Sequence, residues 1–206
     1  MVLLTVICLP IHAHAGLFRN AADLAESSIF GAQSQFDSVG LFTGQFGEFD
    51  VVTGSGVLID PHWVLTSGHQ LQAEPGVLFE SLQYRIGTDL FAEQRVIEAD
   101  FFTTFPGYLS SSPPGTGNDI GLVRLSEPVF DIDPAVLFTG ADDLFGIEFT
   151  AAGFGNPGIG PFPGEFDGIR RAGRNLADNS IFFAEEQYIS ADFDLGLFSN
   201  IGLPLE

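Results

Sequence analysis

The sequence predicts an all-β protein, and three observations carry that prediction. Apolar residues come in short runs rather than long stretches. Those runs are punctuated by 25 glycines and 12 prolines in 206 residues, the residues that break helices and make turns. No stretch sustains a helical apolar period over three turns. The clearest unit runs from Gly54 to His69, where Val57-Leu58-Ile59 and Trp63-Val64-Leu65 read as two strands. Asp60-Pro61 lies between them as a turn dipeptide, because proline fixes φ and has no N–H to offer a ladder.

Taken in order, the chain opens on a processing signal. Val2 to Leu9 is an apolar run too short to span a bilayer, and Ala13-His14-Ala15 fits a small-residue cleavage site. Residues 1–15 are expected to be a secretory signal peptide, cut after Ala15, which places the protein outside the cytoplasm, extracellular or periplasmic. Cys8 does not read as a lipid-attachment site, because Ile7 stands where a small residue is needed. Removal of this segment leaves a chain without cysteine, hence without disulfides, and with His62 and His69 as its only histidines.

Residues 16–38 are of mixed character, with a helical turn expected around Asn20 to Ser28; they read as a short pro-segment or an N-terminal arm. Val39 to Asp50 suggests a first hairpin, followed by the hairpin that ends on His69. Leu82–Ile86 and Gln94–Ile97 are strand candidates, the second leading to Phe101-Phe102. Phe105-Pro106-Gly107-Tyr108 and Ser110 to Gly117 form a loop. Asp119 then stands immediately before the apolar run Ile120 to Leu125. Glu127 to Pro134 reads as a linker, Glu148–Phe154 as a strand, Pro157 to Gly168 as a Gly/Pro loop. Ile169–Leu176, carrying Arg170, Arg171 and Arg174, and Gln187–Phe193 are the last strands. No repeat of fixed period is present.

Composition excludes some functions. Against 27 acidic residues stand 7 basic ones, all arginine, for a formal net charge of −20. Nucleic-acid binding depends on neutralising phosphates with Lys and Arg, so it is excluded, and anionic membrane surfaces are disfavoured. The same charge favours solubility in a salty medium that screens self-repulsion. Cys- or His-rich metal centres are excluded by count. The acid pairs Asp131/Asp133, Asp142/Asp143 and Asp192/Asp194 lack the spacing of a calcium loop and read as solvated. Gly153-x-Gly155-x-x-Gly158 matches a dinucleotide pattern, but Pro157 interrupts it and no helix follows. No cofactor is expected. The three clustered arginines are expected to pair with nearby acids rather than to form a binding patch.

A histidine delivered at the end of a buried strand, on a turn of small residues, can be held rigidly with its ring toward a cleft, as a general base requires. By itself such a histidine is more often a turn residue without a role. His62, the other candidate, lies inside the strand-to-strand turn and is expected to be exposed. Asp119 taken alone reads as an acid capping a turn.

Neighbouring residues change both readings. Gly54 to His69 resembles the histidine motif of the chymotrypsin/trypsin family of serine proteases, G-S-G-V-L-I-x-x-x-W-V-L-T-A-A-H-C, with Ser67-Gly68 in place of Ala-Ala and Gln70 in place of the cysteine. Asn118 to Val129 resembles the family's aspartate motif, N-D-I-A-L-L-R-L-x-x-P-V, with Gly121 in place of Ala. Ala151-Ala152-Gly153-Phe154-Gly155 is similar to the V-A-G-W-G that opens the family's second barrel. The resemblance covers about Val39 to Phe193.

What it implies is a two-barrel Greek-key fold: residues 39–130 as a first β-barrel carrying the His and Asp motifs, and residues 131–206 as linker and partial second barrel. It implies a serine endopeptidase acting on a protein or peptide substrate, as a monomer, with His69 as base and acid and Asp119 as its orienting partner. The family's order is His, Asp, Ser. Its G-D-S-G-G-P nucleophile turn is not in this sequence, so the second barrel is expected to be incomplete and the chain inactive alone. Ser199 lacks the glycine-rich turn that exposes a nucleophile and supplies oxyanion donors. Ser180, Ser190 and Ser110 to Ser112 are no better placed. No I-V-G-G-like start is visible for activation by cleavage. The alternative is a secreted binding or scaffold protein, a remnant of such a domain without its chemistry.

Overall fold

A computed structural model describes residues 17–18, 20–92, 94–108, 118–140, 144–159, 162–177, 179–183 and 186–190. The signal segment 1–15, the loop from Ser110 to Gly117, Asp142/Asp143, Asp192/Asp194 and Ser199 lie outside the described residues. In chain order the elements are β1 (Leu17–Phe18), α1 (Ala21–Gly31), β2 (Val39–Phe46), β3 (Phe49–Asp60), β4 (Trp63–Thr66), β5 (Gln72–Glu74), β6 (Val77–Leu78), β7 (Ser81–Ile86) and β8 (Arg95–Thr104). They continue with β9 (Gly121–Leu125), β10 (Glu148–Phe154), β11 (Gly158–Ile159), β12 (Phe162–Pro163), β13 (Arg170–Leu176), β14 (Asn179–Phe183) and β15 (Glu186–Ser190).

Six of these strands close into an antiparallel barrel in the order β2-β3-β4-β9-β8-β7. Period-two alternation builds its core. Along β9, Val123 and Leu125 are buried while Arg124 between them is exposed, and Val64 and Leu82 are fully buried on the strands around them. Each such side chain contributes about 1.5–3 kcal/mol of burial. Phe42 and Tyr84 stack at 5.1 Å between ring centroids inside the barrel. The β3–β4 turn falls on Pro61-His62, one residue later than the Asp60-Pro61 dipeptide suggests, and the Asp60 carboxylate closes it by accepting the His62 N–H at 3.0 Å.

After the linker, β10 and β13 pair antiparallel over seven residues, and β14 pairs with β15. The strand expected at Gln94–Ile97 begins at Arg95, and Arg95–Ile97 and Phe101-Phe102 lie on one strand, β8. The Gly/Pro loop of residues 157–168 is more ordered than its composition suggests: β11 and β12 form a small sheet with β1.

The helical turn expected around Asn20 to Ser28 is an eleven-residue helix, α1, whose N-terminus is capped by the Asn20 side chain accepting from Ala22 and Asp23 N–H. The periodicity rule missed it because its buried positions are the small residues Ser27 and Gly31, while Ile29 is 70% exposed. The helix lies on β13. Arg170, 1% exposed, reaches from β13 to the carbonyls of Gly31, Phe36 and Val39 and to the Asp37 carboxylate. One guanidinium thus ties residues 31–39 to the second half of the chain, beside the packing of α1 on β13 and the pairing of β1 with β11. Arg171 pairs with Asp167 and Arg174 with Glu148, so all three clustered arginines face acids, as their sequence setting suggests. No helix among the described residues is long and apolar enough to cross a membrane.

Candidate active site

β4 and β9 run antiparallel with Thr66 opposite Gly121. That register decides the geometry of the site. His69 follows Thr66 by three residues and Asp119 precedes Gly121 by two, so both project from the same end of the barrel. Two local features deliver them. Ser67 follows β4 in extended conformation, and Gly68–Leu71 form one 3-10 turn carrying His69. Asn118, just before Asp119, sits at φ 65°, a left-handed conformation that asparagine tolerates better than most residues.

The two side chains meet. Asp119 Oδ2 lies 2.7 Å from His69 Nδ1, and Asp119 Oδ1 accepts the His69 backbone N–H at 2.9 Å. Their side chains are 25% and 18% exposed. Burial pushes the Asp119 carboxyl up. The ring and backbone hydrogen bonds from His69, the charge of His69 and the Gly68 N–H together outweigh burial and hold the carboxyl below the ordinary aspartate value.

The family departures have packing reasons. A Cβ at residue 121 would stand 2.7 Å from Leu71 Cδ1 and 2.9 Å from the Ser67 carbonyl, so Gly121 is what lets β9 close against the histidine turn. At Gly68 a Cβ would come within 3.2 Å of Tyr108 Cδ1 and 3.3 Å of Asp119 Oδ1. Tyr108, which sequence reasoning passed over as a loop residue, therefore lies against the His69–Asp119 pair. Partial burial and then the Asp119 charge push its phenol up. Gln70 fills space beside Gly54, and its Oε1 accepts from the Thr66 hydroxyl at 3.1 Å. The Thr66 hydroxyl also contacts the Ser55 carbonyl at 2.9 Å.

His62 is at the far end of β4. It is partly buried rather than exposed, because its Nδ1 is 3.1 Å from the Leu125 carbonyl while Leu125 N–H bonds back to the His62 carbonyl. Ser180 and Ser190 lie on β14 and β15. Among the described residues no three His, Cys, Asp or Glu side chains converge as a metal site.

A family model described as Trypsin matches residues 38–163, more than half of the chain and both motif segments. No curated protein sequence matches. Several solved structures share the fold. GrC superposes with a TM-score of 0.54 at 20% identity, over 68% of this chain and 60% of that one. Neuropsin, a serine protease expressed in the limbic system of mouse brain, gives 0.53 at 19% identity over 68% and 59%. HL collagenase gives 0.52 at 20% identity over 73% and 59%. This chain thus spans about 60% of the length of the solved proteins it resembles. With the closed barrel and the matched segment spanning both His69 and Asp119, the chain belongs to the trypsin family, at family level a family of serine peptidases.

Proposed function

We propose that this chain carries the base-and-acid half of a serine endopeptidase site, with His69 as general base and acid and Asp119 as the group that orients it. The double contact of Asp119 on the ring and backbone of His69 is the observation that carries this reading. A carboxylate on Nδ1 keeps the Nδ1 proton in place and leaves Nε2 free to accept one. In peptide hydrolysis, Nε2 takes the proton of a serine hydroxyl as its oxygen attacks the scissile carbonyl. The imidazolium then returns that proton to the leaving amine, and an acyl-enzyme remains. Water, deprotonated by the same nitrogen, releases the acid. Asp119 stabilises the imidazolium at each step.

The serine belongs to a glycine-rich turn that this sequence does not contain, and we read the 206-residue chain as inactive on its own. The substrate is a protein or peptide, the protein is exported, and it works as a monomer. A binding remnant without chemistry has no need of an aligned His69–Asp119 pair, so the catalytic reading is preferred.

Nitrogen NMR on histidine-labelled chain tests the pairing. His69 should hold its proton on Nδ1 near neutral pH, and Asp119→Asn should shift it toward Nε2; an unchanged tautomer would remove the proposed role of Asp119. A fluorophosphonate probe should leave the 206-residue chain unlabelled. Labelling would show a nucleophile within it and overturn the inactivity.

A further inference from the structure

The inner face of the barrel continues past the barrel's rim. Beyond a bulge between Phe42 and Thr43, β2 and β3 pair Gly44 with Val51 and Phe46 with Phe49. Alternation puts these four residues on the side that carries the fully buried Leu82, the partner of Gly44 on β7. The Phe79 ring covers Gly44 so closely that a Cβ there would meet it at 2.6 Å. Beyond Phe79 nothing described covers the face. Phe49 is 73% exposed, Val51 41% and Phe46 39%.

The rim of this strip is acidic. Glu48 forms the β2–β3 turn. The Glu80 carboxylate accepts the Gly47 N–H at 3.2 Å and ties that turn to the segment after Phe79. Glu74 ends β5, which packs on β2. Every described arginine is engaged elsewhere: Arg95, Arg124, Arg170, Arg171 and Arg174 with other carboxylates, and Arg85 with Thr43 and Gln83.

We propose that this strip is a docking surface for a cationic segment of a partner protein, in which Lys or Arg residues flank aromatic or aliphatic ones. An exposed apolar strip rimmed by charge is the form of an interaction surface. Its occupant follows from charge. A second copy would set the same carboxylates against each other at a chain charge of −20, and an anionic lipid surface would meet the same repulsion. A basic segment with apolar side chains satisfies both the strip and its rim.

Fluorescence anisotropy with a labelled peptide of alternating lysine and leucine tests this on the full 206-residue chain, against the same peptide with glutamate for lysine. The cationic peptide should bind saturably and the acidic one should not. Phe49→Ser, at a position too exposed to matter to the core, should weaken binding about tenfold. Glu48→Lys should weaken it about threefold, and Phe130→Ser, an equally exposed phenylalanine elsewhere, should leave it unchanged. Equal binding of both peptides, or equal loss with Phe49→Ser and Phe130→Ser, overturns the proposal. So does sedimentation showing a dimer that Phe49→Ser dissolves, or flotation with neutral phosphatidylcholine vesicles.

Discussion

Asp119 holds His69 at two points, the ring at 2.7 Å and the backbone N–H at 2.9 Å. The first contact sets which ring nitrogen carries a proton, and the second fixes the turn from which the ring projects. One carboxylate therefore couples the chemistry of the histidine to its position, and both are sensitive to the protonation of Asp119.

That sensitivity has a sign. The Asp119 carboxyl lies below its ordinary value in the folded chain, so the folded state binds fewer protons than the unfolded one in the acid range. Its contribution to stability is present above about pH 4 and is lost as the pH falls through the folded value. Asp119→Asn should cost about 1–2 kcal/mol at neutral pH, and the difference from the parent chain should shrink as the pH falls into the acid range. Urea unfolding of both proteins at neutral pH and near pH 3 measures this; an equal loss at both would mean that the charge of Asp119 contributes nothing.

The junction between the barrel and β10 rests on Ser55. Its hydroxyl accepts the Phe154 N–H at 2.7 Å and contacts the Phe154 carbonyl at 3.3 Å. Through its own carbonyl, Ser55 meets Thr66, and Thr66 meets Gln70 beside the catalytic candidate. Ser55→Ala leaves the Phe154 amide without its partner and should cost about 1–3 kcal/mol. Hydrogen exchange at Phe154 should accelerate while that at Val64, inside the barrel, does not. Unchanged protection at Phe154 would show that the strand is held by other contacts.

How legible these features were depended on sequence separation. His69 and Asp119 could be found because each lies within three residues of a strand whose neighbouring sequence carries a family motif, and their meeting follows from one register, Thr66 opposite Gly121. The barrel strands were legible as short apolar runs bounded by Gly and Pro turn signals. Ser55 and Arg170 were not, because their partners lie 99 to 139 residues away and no local pattern marks them. Tyr108 was hidden differently: its importance comes from two missing side-chain atoms at Gly68 and Gly121, which let the loop and β9 close in. Helix α1 was understated because it buries small residues instead of an apolar stripe.

Arg170 gives the N-terminal segment a test. Its guanidinium satisfies three backbone carbonyls and the Asp37 carboxylate. Arg170→Met would fill part of the space but leave those carbonyls without donors, at an expected cost of about 3–5 kcal/mol. A chain lacking residues 1–38 removes most of the same partners and strands the buried charge, so it should lose comparable stability. Denaturant midpoints decide: a truncated chain as stable as the parent would make the segment a removable pro-segment rather than an arm of the fold.

Tyr84 makes the corresponding prediction in alkali. It is fully buried, and its hydroxyl donates toward the Ser38 carbonyl at 2.8 Å, with the Gly56 carbonyl at 3.3 Å. Burial pushes its phenol far up, and the backbone of Gly40, the charge of Arg170 and the backbone of Leu58 offset this only in part. The folded state thus keeps a proton that the unfolded state releases near pH 10. The stability tied to that proton is complete below about pH 10 and is lost as pH rises from there toward the folded value. Tyr84→Phe should cost about 1–1.5 kcal/mol at neutral pH, through the lost donor. It should also flatten the alkaline fall, so that the two stability curves converge and then cross above about pH 10. The chain has no lysine and only 3 tyrosines, so few other groups titrate in that window. Urea midpoints of the parent and Tyr84→Phe from pH 7 to 11 measure the crossing; parallel curves would show that Tyr84 does not ionise on unfolding.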